Sequence, residues 1–221
     1  GGGRIVDWLV EMERLPQEDM LDARIARDRV SRDDIAGIGE LLAGFYDGLA
    51  PEIADGGAYP RHLHEEHAVN RAVLERPELG LSDLAADALD RVEGALAALG
   101  PEIGARIARG RIVEAHGDLR PEHVCLVRPP QIIDCLEFSR AMRLIDPYDE
   151  VNYLGLECDM LGAVWIRPLL LDRIEKRLGD PPGDALMALY GGFRALLRAR
   201  LCIAHLLESP VRHPEKWRPL G

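Results

Sequence analysis

The stretch Glu114-Ala-His-Gly-Asp-Leu-Arg-Pro-Glu-His-Val-Cys-Leu-Val127, followed by Gln131-Ile-Ile-Asp-Cys-Leu-Glu-Phe138, decides the fold of this chain. It carries two histidines and an aspartate within the eight residues from 116 to 123, and a further aspartate at the end of the next apolar run. Packing does not demand so many titratable side chains between apolar runs. We therefore interpret the stretch as a functional site.

The two apolar runs in this stretch predict a β-hairpin. Residues 124–127 and 131–134 have the length and composition of strands, and a Pro-Pro pair marks the turn between them. Residues 111–114 form another strand-like run. The hairpin would return Asp134 to the loop that carries Asp118. Because clustered carboxylates repel one another unless a cation neutralises them, we expect a divalent-cation site at that point.

The same stretch resembles the catalytic loop of the protein-kinase-like fold. The His-Gly-Asp form with Ile-Asp-x-x-Glu-Phe downstream is similar to the aminoglycoside phosphotransferase and choline kinase branch. The resemblance implies that Asp118 is the catalytic base and that Asp134 binds the metal. His123 stands where that family has Asn; it is a candidate metal ligand, and the alternative is that its imidazole stacks or bonds the backbone. An amide oxygen suits Mg²⁺ and an imidazole suits Zn²⁺ or Mn²⁺, so the expected cofactor is one of these divalent metals.

Two more candidates for the catalytic group lie in the loop. The resemblance implies that His116 ties the loop to the metal-binding segment, and direct chemistry is the alternative. Arg120 has a fork of donors that could hold a phosphate oxygen, or it could pair with Glu122 at the surface.

Supporting residues are expected downstream of the loop. Glu137 is a candidate third metal ligand, and its alternative is an ion pair with Arg140 or Arg143. The resemblance further implies that Asp149, at the start of a later helix, braces the catalytic loop from below.

The resemblance covers most of residues 5–205 and divides the chain into three parts. Residues 1–19 are predicted to be a remnant strand and hinge of a small lobe, residues 20–208 a kinase-like C-lobe, and residues 209–221 a surface tail. The strand at 5–12 would expose an edge, through which we expect a homodimer. A Gly-rich phosphate loop and a strand Lys find no counterpart, so ATP binding by this chain alone is not expected.

The rest of the sequence predicts a mainly helical (α+β) domain, a helical bundle around the catalytic hairpin. Ser31 and Asp34 form a capping box that opens a helix through Leu49, with Leu41 and Phe45 inward. Ser82 is predicted to cap a helix through residue 99, with Leu84 inward. The other predicted helices span residues 20–29, 101–109, 146–160, 169–178 and 184–207.

A histidine cluster at residues 61–67 allows two interpretations. We favour a solvated helix face, because His64 and His67 lie one turn apart and His62 lies off their face. The alternative is a contribution to a substrate rim.

Composition limits the partners. The 221 residues carry a formal charge of −11, which disfavours general binding to nucleic acid or to an anionic membrane. The four cysteines show no CxxC spacing and are predicted to be reduced and buried, including Cys125 and Cys135 beside the site. With no apolar run near eighteen residues, we predict a soluble cytoplasmic protein.

Three classes of function compete for this site. Metal-dependent hydrolysis of a small phosphorylated substrate ranks first, since a metal-bound water needs no ATP lid. An ATP-dependent small-molecule kinase ranks second, because the predicted C-lobe lacks the part that cradles the γ-phosphate. An inactive interaction module ranks third, since two retained carboxylates argue against it.

Overall fold

A computed structural model describes residues 14–52 and 57–207, together with residues 210, 215 and 217. The predicted strand at 5–12, the dimer edge that depends on it and most of the predicted tail lie outside the described residues. The described chain is mostly helical with small antiparallel sheets, which confirms the mainly helical class. Among the described residues, no helix is long and apolar enough to cross a lipid bilayer.

Nine α-helices and four short strands are found in the described part of the chain. The helices are α1 Leu21–Ile25, α2 Arg32–Asp47, α3 Ala58–Leu74, α4 Ser82–Ala98, α5 Gly100–Ala108, α6 Arg140–Arg143, α7 Pro147–Met160, α8 Ile166–Leu178 and α9 Asp184–Ala204. The strands are β1 Val113–Glu114, β2 Val124–Cys125, β3 Gln131–Ile132 and β4 Leu144–Ile145. Single 3₁₀ turns occur at Gln17–Asp19, Pro77–Leu79, Pro121–His123 and His205–Leu207.

The start of α2 is the predicted capping box. Ser31 Oγ accepts a hydrogen bond from Asp34 N at 3.1 Å, and Asp34 Oδ2 accepts one from Ser31 N at 2.9 Å. The predicted burial of Leu41 and Phe45 is wrong, since they are 37% and 44% exposed. The buried stripe of α2 faces α8 and includes Ile35, Ile38 and Leu42. Leu41 and Phe45 lie beside this stripe and not on it.

The start of α4 departs from the prediction. Leu81 is the N-cap residue, and Ser82 Oγ instead donates to the carbonyl oxygen of Glu75 at 3.0 Å, which ties α4 to the end of α3. Leu84, predicted to point inward, is 81% exposed. The buried stripe of α4 passes through Leu89, because that face packs against α3 and α9.

The predicted hairpin is confirmed in its pairing. β2 and β3 are antiparallel, with Val124 opposite Ile132. The other strand-like run supplies β1, which pairs with β4 so that Val113 lies opposite Ile145. The sequence analysis did not predict β4, because two apolar residues between charged neighbours give no strand signal of their own.

Two hydrophobic clusters form the core on either side of the site. One joins α2, α7 and α8 around Ile38, Val151 and Leu170. The other joins α3, α4, α5 and α9 around Leu89 and Tyr190. The loop between β1 and β2 is anchored in the first cluster through its buried apolar residues, which hold the loop against the core.

Candidate functional site

The loop at residues 115–123 turns on Gly117. Its φ is +86°, and a Cβ at this position would lie 2.9 Å from the carbonyl oxygen of Met142. Only glycine fits both the positive φ and this close approach. The His-Gly-Asp sequence therefore brings the loop against the segment that leads into β4.

Glu150 on α7 holds this loop from beneath. Its buried carboxylate accepts hydrogen bonds from Gly117 N at 2.6 Å and from His116 N at 3.3 Å. It also accepts one from Tyr46 OH at 2.6 Å. Burial, together with the charge of Glu150, raises the pKa of Tyr46 well above its ordinary value, so the hydroxyl stays a donor. The loop backbone is thereby joined to α2 and α7.

The predicted brace, Asp149, has a different partner. Its carboxylate accepts two hydrogen bonds from Arg194 of α9, at 2.9 and 2.7 Å, and the pair is buried. Consecutive residues on a helix point in directions about 100° apart, so adjacent carboxylates meet different neighbours. The prediction of a bracing carboxylate at this helix start was one residue off.

His116 connects the loop to the segment that follows β3. Its Nε2 donates to the carbonyl oxygen of Ile133 at 2.8 Å, and its own carbonyl accepts from Leu136 N at 3.1 Å. With Nε2 protonated, Nδ1 accepts from Asp118 N at 3.3 Å. These contacts give His116 the connecting geometry that the resemblance implied.

The structure brings together the polar side chains of the loop and the end of the hairpin. His123 Nδ1 donates to the carbonyl oxygen of Asp118 at 2.7 Å, and His123 Nε2 lies 3.4 Å from Asp134 Oδ2. Asp134 has a φ of +64°, a conformation that aspartate tolerates better than most residues, and its side chain is 76% exposed. Arg120 Nη2 lies 3.0 Å from Asp118 Oδ2.

Arg120 makes the predicted contact with Glu122 and a second contact, with Asp118, that the sequence analysis did not predict. One terminal nitrogen contacts Asp118, and the other lies 2.8 Å from Glu122 Oε1. Burial by itself lowers the pKa of Arg120, but the charges of Asp118 and Glu122 outweigh it and raise the pKa above its ordinary value. The guanidinium is therefore a permanent positive charge beside the Asp118 carboxylate.

His123 and Asp134 fit a metal ion in chemistry and spacing. Because Nδ1 of His123 carries the proton that the Asp118 carbonyl accepts, Nε2 carries a lone pair, and it lies 3.4 Å from Asp134 Oδ2 and 3.5 Å from Arg120 Nη2. Two ligands at about 2.1 Å from one ion lie about 3 Å apart, close to the observed separation. Across residues 14–52 and 57–207, no group of three or more His, Cys, Asp or Glu side chains is placed to hold a metal.

Glu137 is not brought into this group as a ligand. The residue is exposed, and the arginines proposed as its ion-pair partners contact other carboxylates: both Arg140 and Arg143 pair with Glu114. Arg143 reaches Glu137 only at its backbone carbonyl, at 3.5 Å. The alternative of an ion pair from Glu137 to these arginines is therefore wrong.

A cavity of about 220 Å³ opens beside Asp118. Its walls come from α3, α7, α9 and the segment from Leu136 to Met142. His62 and Glu66 of the histidine cluster line it, which agrees with the substrate-rim interpretation, whereas His67 is buried and contradicts the solvated face. The apolar spacing of α3 could have predicted both results. It places residue 67 on the buried stripe of the helix and residues 62 and 66 at the edge of that stripe.

The cysteines were predicted correctly in all but one case. Cys125, Cys158 and Cys202 are buried, and burial raises the pKa of the Cys158 thiol to about 12. Cys135 is exposed, because β3 ends at Ile132 and the following residues turn outward. The prediction of a buried thiol at Cys135 is wrong.

Comparison with known proteins places the fold among kinases. No family model matches the sequence. Two crystal forms of glucosamine kinase match with TM-scores of 0.56 and 0.52, at 18% and 19% identity. They cover 90% and 92% of this chain, and the chain covers 55% and 56% of theirs. The fold is therefore kinase-like.

The relatives found by sequence are described as uncharacterized proteins. Proteins of Mycobacterium bovis and of two Mycobacterium tuberculosis strains are each 27% identical over 222 residues. The match covers 93% of this chain and 43% of each relative, so the chain spans less than half the length of these proteins.

Proposed function

We propose that this chain carries the catalytic base of an ATP-dependent phosphotransferase that acts on a small hydroxyl-bearing acceptor. The observation that carries the proposal is the position of Asp118, which lines the 220 Å³ cavity on one side and contacts Arg120 on the other. A carboxylate in that position can accept a proton from an acceptor in the cavity while a guanidinium faces the transferred group. The kinase-like fold supports the same reaction class.

This proposal reverses the order that the sequence suggested for hydrolysis and transfer. Hydrolysis ranked first because a nucleotide lobe was not recognised in the chain. The chain spans 43% of its curated relatives and 55% of one solved kinase, so a nucleotide lobe that is not recognised in these residues carries no weight against transfer. What remains is a cavity next to the base, which suits an organic acceptor better than water.

Each residue of the site has a role in this proposal. Asp118 accepts the proton of the attacking hydroxyl, and Arg120 contacts a phosphate oxygen of the donor. His123 and Asp134 would hold a divalent ion, which would neutralise charge on the donor phosphates when bound. Glu150 positions the loop that carries the base.

The test is phosphoryl transfer from Mg²⁺-ATP to a panel of sugars, amino alcohols and aminoglycosides, followed by ³¹P NMR. Asp118→Asn keeps the shape of the side chain and removes the base, so we expect a loss of about 10²- to 10⁴-fold in kcat. Asp87→Asn, at an exposed carboxylate that pairs with Arg91 on α4, is the matched control and should leave kcat unchanged. Full activity of Asp118→Asn would refute the assigned base.

Hydrolysis is the second candidate, favoured by the 76% exposure of Asp134, which leaves the ion position open to water. It predicts turnover of a chromogenic phosphodiester by the metal-loaded protein without nucleotide. That result, with no transfer from ATP, would place hydrolysis first again. A folded protein with neither activity would point to the interaction module.

The metal position has its own test, independent of turnover. Mn²⁺ binding followed by electron paramagnetic resonance should weaken in both Asp134→Ala and His123→Ala, by about 10- to 100-fold, since each removes one donor. His123→Asn should shift the preference from Mn²⁺ or Zn²⁺ toward Mg²⁺, because an amide oxygen replaces an imidazole. Unchanged Mn²⁺ affinity in both alanine variants would end the assignment.

A further inference from the structure

We infer that the acceptor cavity is built for an uncharged, polyhydroxylated ring of single-sugar size and not for a polycationic aminoglycoside. The inference rests on the proposed function for its catalytic consequence, and its binding part stands by itself. Three features of the cavity carry it: the pairing of its charges, its aromatic walls and the unpaired buried hydroxyl of Tyr153.

The charges that line the cavity cancel in pairs. Glu66 Oε2 lies 2.7 Å from Arg200 Nη2, across from α3 to α9. Asp118 pairs with Arg120, and the remaining lining guanidinium, Arg194, is held by Asp149.

Among the described residues that line the cavity, two carboxylates (Glu66, Asp118) thus face two guanidiniums (Arg194, Arg200). Burial lowers the pKa of the lining residue His62, which keeps its ring neutral near pH 7. A polycation needs carboxylates that are free to meet it, since each ammonium leaves water at a cost unless it is paired. Each carboxylate in this wall already has a guanidinium partner.

Aromatic side chains supply much of the apolar wall. Tyr59 and Phe193 are buried behind the cavity, and Phe138 lies at its rim with 80% of its surface exposed. An exposed phenyl ring at the mouth of a cavity is an apolar surface that a ligand can cover. The apolar face of a sugar ring fits such walls, while its hydroxyls can reach the polar groups between them.

Tyr153 is one of two tyrosines in this wall, with Tyr59, whose hydroxyl lacks a hydrogen-bond partner within the described residues. Tyr153 is 3% exposed and lines the cavity. Its hydroxyl finds no hydrogen-bond partner in the described part of the chain. Burial, with the charges of Glu157 and Asp118, raises its pKa, so the hydroxyl remains a donor. Because an unpaired buried hydroxyl costs free energy, a ligand hydroxyl that accepts from Tyr153 recovers that cost on binding.

The size of the cavity agrees with one ring. Its volume of about 220 Å³ lies below the range of about 300 to 1,000 Å³ that is usual for drug-sized ligands. A three-ring aminoglycoside would have to leave most of its bulk outside. Bound at the mouth, it would meet paired charges and the phenyl ring of Phe138.

The test compares three probes with the whole protein in the absence of nucleotide: D-glucose, D-glucosamine and kanamycin. Titration calorimetry at physiological salt should show glucose and glucosamine binding within about threefold of each other, and kanamycin at least about tenfold weaker, since the wall offers no free carboxylate. Tighter binding of kanamycin than of both sugars would overturn the inference, and so would no binding of either sugar.

A matched pair of variants locates the sugar. Tyr153→Phe should weaken glucose binding about tenfold, the value of one lost hydrogen bond to a buried hydroxyl. Tyr148→Phe removes the hydroxyl of another tyrosine that is 3% exposed; this hydroxyl donates to the Gly179 carbonyl at 2.8 Å outside the cavity, so glucose affinity should be unchanged. Equal affinities in both variants would overturn the placement of the ring against Tyr153.

The outcome for this inference is separable from that for the proposed function. If Tyr153→Phe weakens glucose binding but Asp118→Asn leaves all turnover unchanged, the cavity is the sugar site and Asp118 is not the catalytic base. If phosphate is transferred only to a polycation, the protein is a phosphotransferase, but its acceptor is not an uncharged sugar.

Discussion

Helices α7 and α3 both bury polar side chains, but the buried carboxylates at the start of α7 are paired, whereas the buried imidazole and amide of α3 are not. α7 and its N-cap bury Asp146, Asp149 and Glu150, and each carboxylate accepts hydrogen bonds. α3 buries His67 and Asn70, and within the described residues neither the imidazole nor the amide finds a hydrogen-bond partner. The paired carboxylates of α7 therefore support the catalytic loop, whereas the unpaired imidazole and amide of α3 are an energetic cost.

The difference follows from what packs against each helix. α7 lies beneath the catalytic loop and beside α9, where backbone N–H groups and arginines meet its carboxylates. Asp146 alone accepts from Arg106 at 2.7 and 3.0 Å, from Tyr148 N at 3.0 Å and from Tyr190 OH at 3.2 Å. α3 packs against α4 and α9 through largely apolar stripes, which offer few partners. The following variants test this contrast.

The largest effect is expected from Arg194→Met. It leaves the Asp149 carboxylate buried without its partner, so the free energy of unfolding should fall by about 3 to 5 kcal/mol in urea titrations. Adding Asp149→Leu should restore most of that loss, because an apolar pair replaces an ionic one. Arg177→Ala, which breaks an exposed pair with Asp47, is the control and should cost less than about 1 kcal/mol. If Arg194→Met alone lowers the free energy of unfolding as little as Arg177→Ala does, the pair of Arg194 and Asp149 has no structural role.

The next effect concerns Glu150, the carboxylate beneath the loop. Glu150→Gln replaces one acceptor oxygen by an NH₂ group, which leaves a buried N–H of the loop unpaired at a cost of about 1 to 3 kcal/mol. The displaced loop should lower kcat by up to about 100-fold. As a positioning residue it should leave the KM for the acceptor nearly unchanged.

Two controls define this result. Tyr46→Phe removes one donor to the same carboxylate and should produce a smaller loss in both stability and kcat. Glu175→Gln, an exposed carboxylate on α8, should change neither. If kcat survives Glu150→Gln while stability falls, the residue supports the fold alone.

The carboxylates of α7 also mark the limit of what the sequence could predict. The hairpin pairing and the Ser31–Asp34 capping box depend on neighbours close in the chain, and both are found, although each strand of the hairpin is two residues shorter than predicted. The choice between Asp149 and Glu150 depends on which face of α7 meets the loop. That is a tertiary contact, and two adjacent acidic residues give no local signal to decide it.

The cavity walls show the same limit. Residues of α3 and α9 come together with Asp118 only through the packing of the bundle, with Glu66 and Arg200 separated by 134 positions in sequence. The pairing of β1 with β4 is likewise a distant contact between very short runs. Local periodicity predicts which stripe of a helix is buried, but not which distant element covers it.

A third variant tests the cost of unpaired polarity on α3. Asn70→Leu replaces a fully buried amide that has no partner in the described chain with an apolar side chain of similar size. The free energy of unfolding should rise by about 1 to 2 kcal/mol, since the desolvation cost of the amide disappears. Val69→Leu, at an exposed neighbour, should stay within about 0.5 kcal/mol of the parent. If Asn70→Leu lowers the free energy of unfolding, the amide makes an interaction in the folded protein that offsets its desolvation cost.

The smallest effect is a pH dependence from His67. Burial, helped by the charge of Arg71, lowers the pKa of its imidazole in the folded protein below the ordinary value of 6.5. The unfolded chain then binds more protons between the two values, so the stability that depends on neutral His67 is present above pH 6.5 and is lost as the pH falls. His67→Gln removes this titration, so its unfolding free energy should decline less between pH 7 and pH 5.5, by at most about 1 kcal/mol.

The control for this effect is His64→Gln, an exposed histidine one turn away on the same helix. Its variant should follow the pH profile of the parent, while His67→Gln flattens it. Burial also lowers the pKa of His62, so a residual slope of the same sign should persist in His67→Gln and disappear in the double variant with His62→Gln. If His67→Gln keeps the full slope of the parent, the pH dependence has its source outside α3, and the contrast between the two helices is confined to their hydrogen bonds.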